Sequence, residues 1–222
     1  MNPVQAANGG AMPSLWELIV SGGPLMWPLG LCSVVALAYM VERALRLRRS
    51  VLGSELAGKR MLETLRSNGT AAALEIARAE RTPQGRIVAA TLEQAALAPA
   101  LREKRIEDLA ALEVKRLSGN LRPLMIVYVV APLLGLLGTV WGLIEAFATV
   151  ATKNALGRPE LLASGVYQAL VTTAAGLSIA IPAVIAYYHF KSRIEDFSRG
   201  VEHLYGEIDP LLVPGEVPHA SA

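Results

Sequence analysis

Apolar residues crowd into three stretches of the chain, and polar ones separate them. No Asp, Glu, Lys or Arg occurs in residues 18–41, 123–144 or 161–190, windows of 24, 22 and 30 residues. A helix needs about 20 apolar residues to cross the hydrocarbon core of a bilayer, so each window predicts a transmembrane helix. Between the first and second windows the pattern changes. Leu, Ile, Val and Ala recur at helical spacing through residues 56–65, 71–79, 87–97 and 106–117. Ser67-Asn68-Gly69 and Thr82-Pro83-Gln84-Gly85 are breaks between them, with Asn68 or Thr70 placed to cap the helix that follows. Residues 101–117 put Arg102 and Ile106 on one side and interleave Glu103, Glu107, Asp108 and Glu113 with Lys104, Arg105, Lys115 and Arg116. That alternation reads as a solvated helix laced with i,i+4 ion pairs. It is expected to run on into the second span, because Gly119 and Pro123 kink membrane helices more often than they end them. The predicted fold is all-α: a polytopic membrane protein with three transmembrane helices and an antiparallel inner helical bundle.

Charge gives the three spans a direction. Of the 21 Lys and Arg, 16 lie between Arg43 and Arg122 and three between Lys191 and Arg199. Only Lys153 and Arg158 fall between the second and third spans, and none precedes the first. The positive-inside rule then places residues 1–17 outside, 18–42 as the first span and 43–122 inside. It makes 123–150 the second span, 151–160 an outer loop, 161–190 the third span and 191–222 an inner tail. Residues 1–16 carry no basic segment, and the first apolar run is too long for a cleaved leader, so residues 18–42 are expected to remain as a span. The composition agrees: 53% of residues are hydrophobic, and mean hydropathy is +0.40. The single cysteine, Cys32, lies in the first span and excludes an intrachain disulfide. A net charge of +2 conceals this sidedness and gives no reason to propose nucleic acid as a partner. The expected surroundings are lipid.

Two spans share one spacing. Small or hydroxyl residues fall at Ala131, Gly135, Gly138, Thr139, Gly142, Ala146 and Thr149 in the second, and at Gly165, Ala169, Thr172, Thr173, Gly176, Ala180 and Ala183 in the third. Both sets have offsets 0, 4, 7, 8, 11, 15 and 18. At about 100° per residue these form one stripe, roughly 100° wide, on each helix. Small stripes let membrane helices approach closely, so Gly135, Gly138, Gly142 and Gly176 are expected to pack helix on helix. Thr139 lies 17 residues beyond Arg122 and Thr173 lies 18 before Lys191, so the two are expected at nearly the same depth. Level hydroxyls on antiparallel helices, with Thr172 beside them, are candidates for a polar ring if several copies surround an axis. Glu145, near the outer end of the second span, is the only acid within the second or third span and suits a solvated mouth as well as a proton site. Gln168 brings hydrogen-bonding capacity without charge, and Pro182 is expected to bend the third span or free a carbonyl. His189, with Tyr187 and Tyr188, fits an interfacial aromatic belt.

Catalytic signatures do not emerge. The chain has no GxSxG, no HExxH, no paired intramembrane aspartates and no phosphate-binding glycine loop, and its three histidines lack ligand spacing. The expectation is a protein that is not an enzyme and needs no cofactor or metal.

Three spans, a large inner loop after the first, and the blocks APLLGLLGTVWGLIEAF and GVYQALVTTAAGLSIAIPAVIAYYHF resemble the ExbB/TolQ/MotA proton-channel family. GGPLMWPLGLCSVVALAYMVERALRLRR resembles the first span of ExbB-type members, and three spans rather than four favour the ExbB and TolQ branches. The resemblance covers roughly residues 14–200. It implies a homopentameric ring in the bacterial inner membrane, with a periplasmic N-terminus, a cytoplasmic C-terminus and the second and third spans lining a central pore. It implies single-span partners of the ExbD/TolR type whose membrane aspartate carries the proton. The energy would drive a TonB/TolA-like protein in outer-membrane transport. The family's pore threonines fall on Thr139 and Thr173, while some ExbB members carry a glutamate where this chain has Gln168.

This departure matches the residues themselves: no carboxylate lies at mid-membrane, and threonine hydroxyls do not titrate. The chain therefore reads as a stator-like housing for an acid that another protein supplies. The competing class is a structural scaffold without proton conduction. A small-solute transporter is disfavoured by the absence of inverted repeats and of a charged midplane site.

Overall fold

The computed structural model describes residues 22–47, 52–152 and 159–212. The expected outer segment 1–17, most of the loop 151–160 with Lys153 and Arg158, and the last ten residues of the tail lie outside the described residues.

Among the described residues there are six helices: α1 (Met26–Arg46), α2 (Glu55–Ala79), α3 (Pro83–Glu93), α4 (Pro99–Gly119), α5 (Arg122–Thr152) and α6 (Pro159–Leu212). No strand occurs among the described residues. Among the described residues three helices are long and apolar enough to cross a membrane: Met26–Arg46, Arg122–Ala151 and Leu162–Leu212. Only 17%, 28% and 28% of their most apolar windows are buried within the chain. Trp27, Leu31, Val34 and Leu37 on α1 and Leu133, Leu137 and Ile144 on α5 are exposed. Surfaces this apolar need lipid or another protein against them. The 51 residues of the last helix rise about 76 Å, more than twice a hydrocarbon core of about 30 Å, so only its apolar part is required to span. The helix continues without a break past residue 190 and through Pro182.

Local sequence explains most boundaries. Ser54 caps α2, accepting from the Ala57 N–H at 3.0 Å, and Thr82 caps α3, accepting from the Gly85 N–H at 3.1 Å. Pro83 stands in the first turn of α3, where a missing N–H is harmless. The break expected at Ser67-Asn68-Gly69 is a kink within α2 rather than an end. Gly69 sits at φ +83°, ψ −179°, a conformation essentially closed to residues with a Cβ. The expected run of α4 into the second span is corrected. α4 stops at Gly119, Asn120 caps it, and the Leu121 N–H turns back to the Ser118 carbonyl at 3.0 Å before α5 begins at Arg122. Pro123 then occupies the first turn of α5, where proline starts a helix well.

The chain divides into two compact units. One holds the described residues of Met1–Ala38 and Pro123–Ile185, the other those of Tyr39–Arg122 and Ala186–Ala222. The second is built on a leucine-rich core in which Met61, Leu62 and Leu65 of α2 meet Val88 and Leu92 of α3 and Leu204 and Ile208 of α6. A second cluster brings Ile106 of α4 against Ile87 of α3 and Val201 of α6.

The charged helix is also corrected. Arg102 and Glu113 are buried, and each pairs with a residue of another helix, while Arg116–Glu113 stays within α4. Arg102 donates to Asp209 of α6 at 2.7 Å and to the Ala95 carbonyl at 2.9 Å, and the Tyr205 hydroxyl donates to the same Asp209 oxygen at 2.9 Å. Glu113 takes Arg86 of α3 at 2.7 Å and Arg116 at 3.1 Å. Near the end of α1, Arg43 donates to the Leu117 carbonyl at 2.8 Å, and Asn120 donates to Glu42 at 3.1 Å. Arg193 donates to the Leu47 carbonyl at 2.8 Å. Leu47 and Leu117 sit at helix C-termini, whose last carbonyls lack helical partners, so each arginine satisfies an otherwise orphaned acceptor.

Candidate functional site: the seam between α5 and α6

The small-residue stripes of α5 and α6 face each other. A methyl group on Gly176 would stand 2.6 Å from the Ala131 carbonyl oxygen, one on Gly135 3.0 Å from Thr173 Cα, and one on Gly142 3.0 Å from Ala169 Cβ. At Gly138 it would overlap the Thr172 side chain, and at Gly165 it would stand 2.5 Å from Ala146 Cβ. Partners on α6 descend as positions on α5 rise, so the helices run antiparallel. Backbones this close leave no room for a side chain, which is why the sequence supplies glycine there. Ala131, Ala146, Ala169 and Thr172 are buried in the seam.

The three threonines behave differently within it. Thr172 is 1% exposed and donates to the Ala169 carbonyl of its own helix at 2.7 Å. Thr173 donates across the seam to the Gly135 carbonyl at 2.8 Å. Thr139 donates to the Leu136 carbonyl one turn back at 2.6 Å. Thr139 and Thr173 are both half-buried. Thr173 faces Gly135, four residues from Thr139, so the two hydroxyls lie within about one helical turn, roughly 6 Å, along the pair.

Helical geometry sorts the other candidates. Thr139 and Thr173 stand at the same rotational offset from Ala131 and Gly165. On antiparallel helices, equal offsets project from the same edge of the pair. Leu136, Leu143, Leu170 and Leu177 share that edge and are exposed, so the two hydroxyls are set in an apolar surface. Glu145 and Gln168 fall on the opposite edge by the same geometry. Gln168 packs there against Gly23, in the turn before α1, and Glu145 is exposed, its carbonyl accepting from Thr149 at 2.9 Å. Pro182 is exposed on α6. The structure thus brings Gly135, Gly138, Gly142, Gly176, Thr172 and Thr173 together, sets Thr139 at their margin, and places Glu145 and Gln168 away from both reachable hydroxyls. No group of His, Cys, Asp and Glu suited to a metal occurs among the described residues. Sequence reasoning did not find Arg102 and Glu113; Arg102 standing one turn ahead of Ile106 on one face was the signal for the first.

Three apolar helices that stay exposed in the single chain, two of them zipped by a glycine seam with hydroxyls on one edge, define a membrane-spanning helical protein. The MotA/TolQ/ExbB proton channel family model matches residues 79–203. Biopolymer transport protein exbB1 of Vibrio cholerae is 31% identical over 214 residues, 95% of this chain and 93% of the relative. Biopolymer transport protein ExbB of Neisseria meningitidis serogroup A is 31% identical over 195 residues, 82% of this chain and 84% of the relative. The Tol-Pal system protein TolQ of Pseudomonas aeruginosa is 42% identical over a shorter 83 residues, 37% of this chain and 36% of the relative. The chain belongs to the MotA/TolQ/ExbB proton channel family.

Proposed function

We propose that this chain is the channel-forming stator subunit of an inner-membrane motor. It forms a ring, a homopentamer, around a single-span ExbD/TolR-like partner whose membrane acid carries the proton. The ring converts proton-motive force into work on a TonB/TolA-like protein serving outer-membrane transport. The N-terminus is periplasmic, and residues 43–122 with the tail form a cytoplasmic helical bundle. Thr139 and Thr173 face the pore, Thr172 and the seam glycines fix the helix pair that presents them, and Glu145 and Gln168 lie off that face.

One observation carries this reading: two reachable hydroxyls project from the same edge of the helix pair, among exposed leucines, while the pair's Glu145 lies on the opposite edge. Such a surface suits a protonatable group brought by another chain. The scaffold reading draws on Thr172, whose hydroxyl is closed within the seam and serves packing alone.

Native mass spectrometry of the complex, purified in mild detergent from cells that also express the neighbouring genes, tests the proposal. The expected species is a pentamer retaining one or two copies of a single-span protein with a membrane aspartate. A monomer or dimer with no partner leaves no pore for the threonines to line. In the retained complex, Thr139→Val is expected to lower energised transport at least tenfold with the assembly unchanged.

A further inference from the structure

A guanidinium group does not lose its charge in a protein, so an arginine that leaves water needs an anion beside it. Among the described residues, three lysines or arginines are not exposed: Arg43, Arg102 and Arg193. Arg102 has Asp209 at 2.7 Å. Arg43 and Arg193 have no carboxylate within ion-pair distance among the described residues. Each spends an N–H on a backbone carbonyl instead, Arg43 on Leu117 and Arg193 on Leu47, both at 2.8 Å. Arg43 is 3% exposed, and its Nε is buried with no acceptor.

The acids close by in sequence are already taken. Glu42 receives Arg46 and Asn120, each at 3.1 Å, while Glu195 pairs with Lys191 and Asp196 with Arg199. The two arginines also meet the same short stretch of chain. The Leu47 N–H donates to the Arg43 carbonyl at 2.9 Å, so the carbonyl that holds Arg193 lies one helical turn, about 5 Å, beyond Arg43. The charge-free windows of the sequence close at residue 41, open at 123 and close at 190. Both arginines therefore stand where apolar chain gives way to polar, the level of lipid headgroups.

We infer that Arg43 and Arg193 form a site for the phosphodiester of an anionic phospholipid, which supplies the negative charge the chain does not. The inference rests on the proposed placement of this end of the spans at the inner face of the membrane. A phosphodiester carries one full negative charge, and its two free oxygens accept from two guanidinium groups at once. Planar, forked guanidinium groups match such oxygens better than an ammonium does. Arg193 is half-buried and offers the reachable N–H groups, while Arg43, almost wholly enclosed, contributes chiefly its charge. A zwitterionic headgroup brings an ammonium of its own and balances the pair less well.

The test takes the complex purified in mild detergent, stripped of lipid, with phosphatidylglycerol added back and counted by native mass spectrometry. Arg193→Gln and Arg43→Gln are each expected to weaken phosphatidylglycerol binding about tenfold, with phosphatidylcholine held weakly and equally by all. Arg122→Gln removes an exposed arginine at the same level and is expected to cost less than about twofold. Arg193→Gln decides the matter by itself should Arg43→Gln fail to assemble. Equal losses in Arg122→Gln and Arg193→Gln overturn the inference, since a general basic collar would then hold the lipid. Inorganic phosphate bound as tightly as phosphatidylglycerol also overturns it, because the occupant would be a free anion. Unchanged lipid binding in Arg193→Gln with loss of the single-span partner overturns it too, and gives the charge to a partner's carboxylate. The partner is weighed in the same spectra, so a complex that keeps it and ignores phosphatidylglycerol sinks this inference alone. A species with neither ring nor partner overturns the motor reading, while the arginine variants still decide the lipid site in it.

Discussion

The two units of this chain solve the same packing problem with opposite materials. In the α5–α6 pair, contact is made by what is missing: Gly135, Gly138, Gly142, Gly165 and Gly176 have no Cβ, and backbone meets backbone. In the other unit, contact is made by bulk, with Met61, Leu62, Leu65, Val88 and Leu92 filling the core and Arg102 and Glu113 buried at its side. The difference follows from the solvent each surface is built for. Where lipid surrounds the helices, apolar side chains gain nothing by leaving it, so close approach and dispersion must hold the pair. Where water surrounds them, burying leucine is favourable, at roughly 25 cal/mol per Å² of apolar surface, and the unit tolerates a few well-bonded charges inside. A single α-helix, α6, carries both solutions along its length: glycine and alanine at residues 165–183, leucine and isoleucine at 194–212.

The sharpest way to break the comparison is at the buried ions. Arg102→Ala leaves the Ala95 carbonyl without its donor and Asp209 with the Tyr205 hydroxyl but no cation, and should destabilise the chain by about 3–5 kcal/mol. Chemical unfolding in detergent followed by circular dichroism would measure it. Arg102→Met together with Asp209→Leu and Tyr205→Phe should recover most of that loss, since an apolar set of similar volume needs no partner. If the triple variant is as weak as the single one, the cluster does more than fill space.

The second effect belongs to the seam. Gly176→Ala places a methyl 2.6 Å from a backbone oxygen, which no rotamer can relieve, so α5 and α6 must move apart. The expected cost is about 1–3 kcal/mol. Trp27 and Trp141 lie in this unit, so tryptophan fluorescence should shift. Under Arg102→Ala the fluorescence of the native protein should hold.

The smallest effect is alkaline. Burial, and then the hydrogen bond to Asp209, push the Tyr205 hydroxyl above its ordinary value of 10.0. A group with a raised folded-state pKa contributes stability that is whole below the unfolded value and lost as pH climbs through the folded one. Stability should therefore fall above pH 10.0, and Tyr205→Phe should flatten that fall at a cost of about 1 kcal/mol at neutral pH. An unchanged alkaline slope in the phenylalanine variant would assign the fall to other groups.

The sequence made one of these units far more legible than the other. The spans, the paired stripes and the threonines on them could be read directly, because periodicity and small residues leave their mark in one dimension. Arg102 and Glu113 could not, because a charged residue on a helix pattern looks solvated until its partner is known, and Asp209 lies 107 positions away. The end of α4 at Asn120 was hidden for a related reason: Glu42 and Arg43, from a different helix, hold that junction in place. The direction of the hydroxyl protons was equally invisible. Thr139 and Thr173 look alike in sequence, and only the fold sends one proton along its own helix and the other across to Gly135.

The contact between Gly138 and Thr172 has an evolutionary consequence. A methyl on Gly138 would stand 2.6 Å from Thr172 Cβ, so the two residues occupy one volume between them. Neither can grow unless the other shrinks. A lineage that drifts from glycine to alanine at 138 must first, or at once, give up the threonine at 172 for something smaller, and the reverse order is closed to it. A smaller residue at 172 leaves glycine at 138 undisturbed, so the constraint runs in one direction.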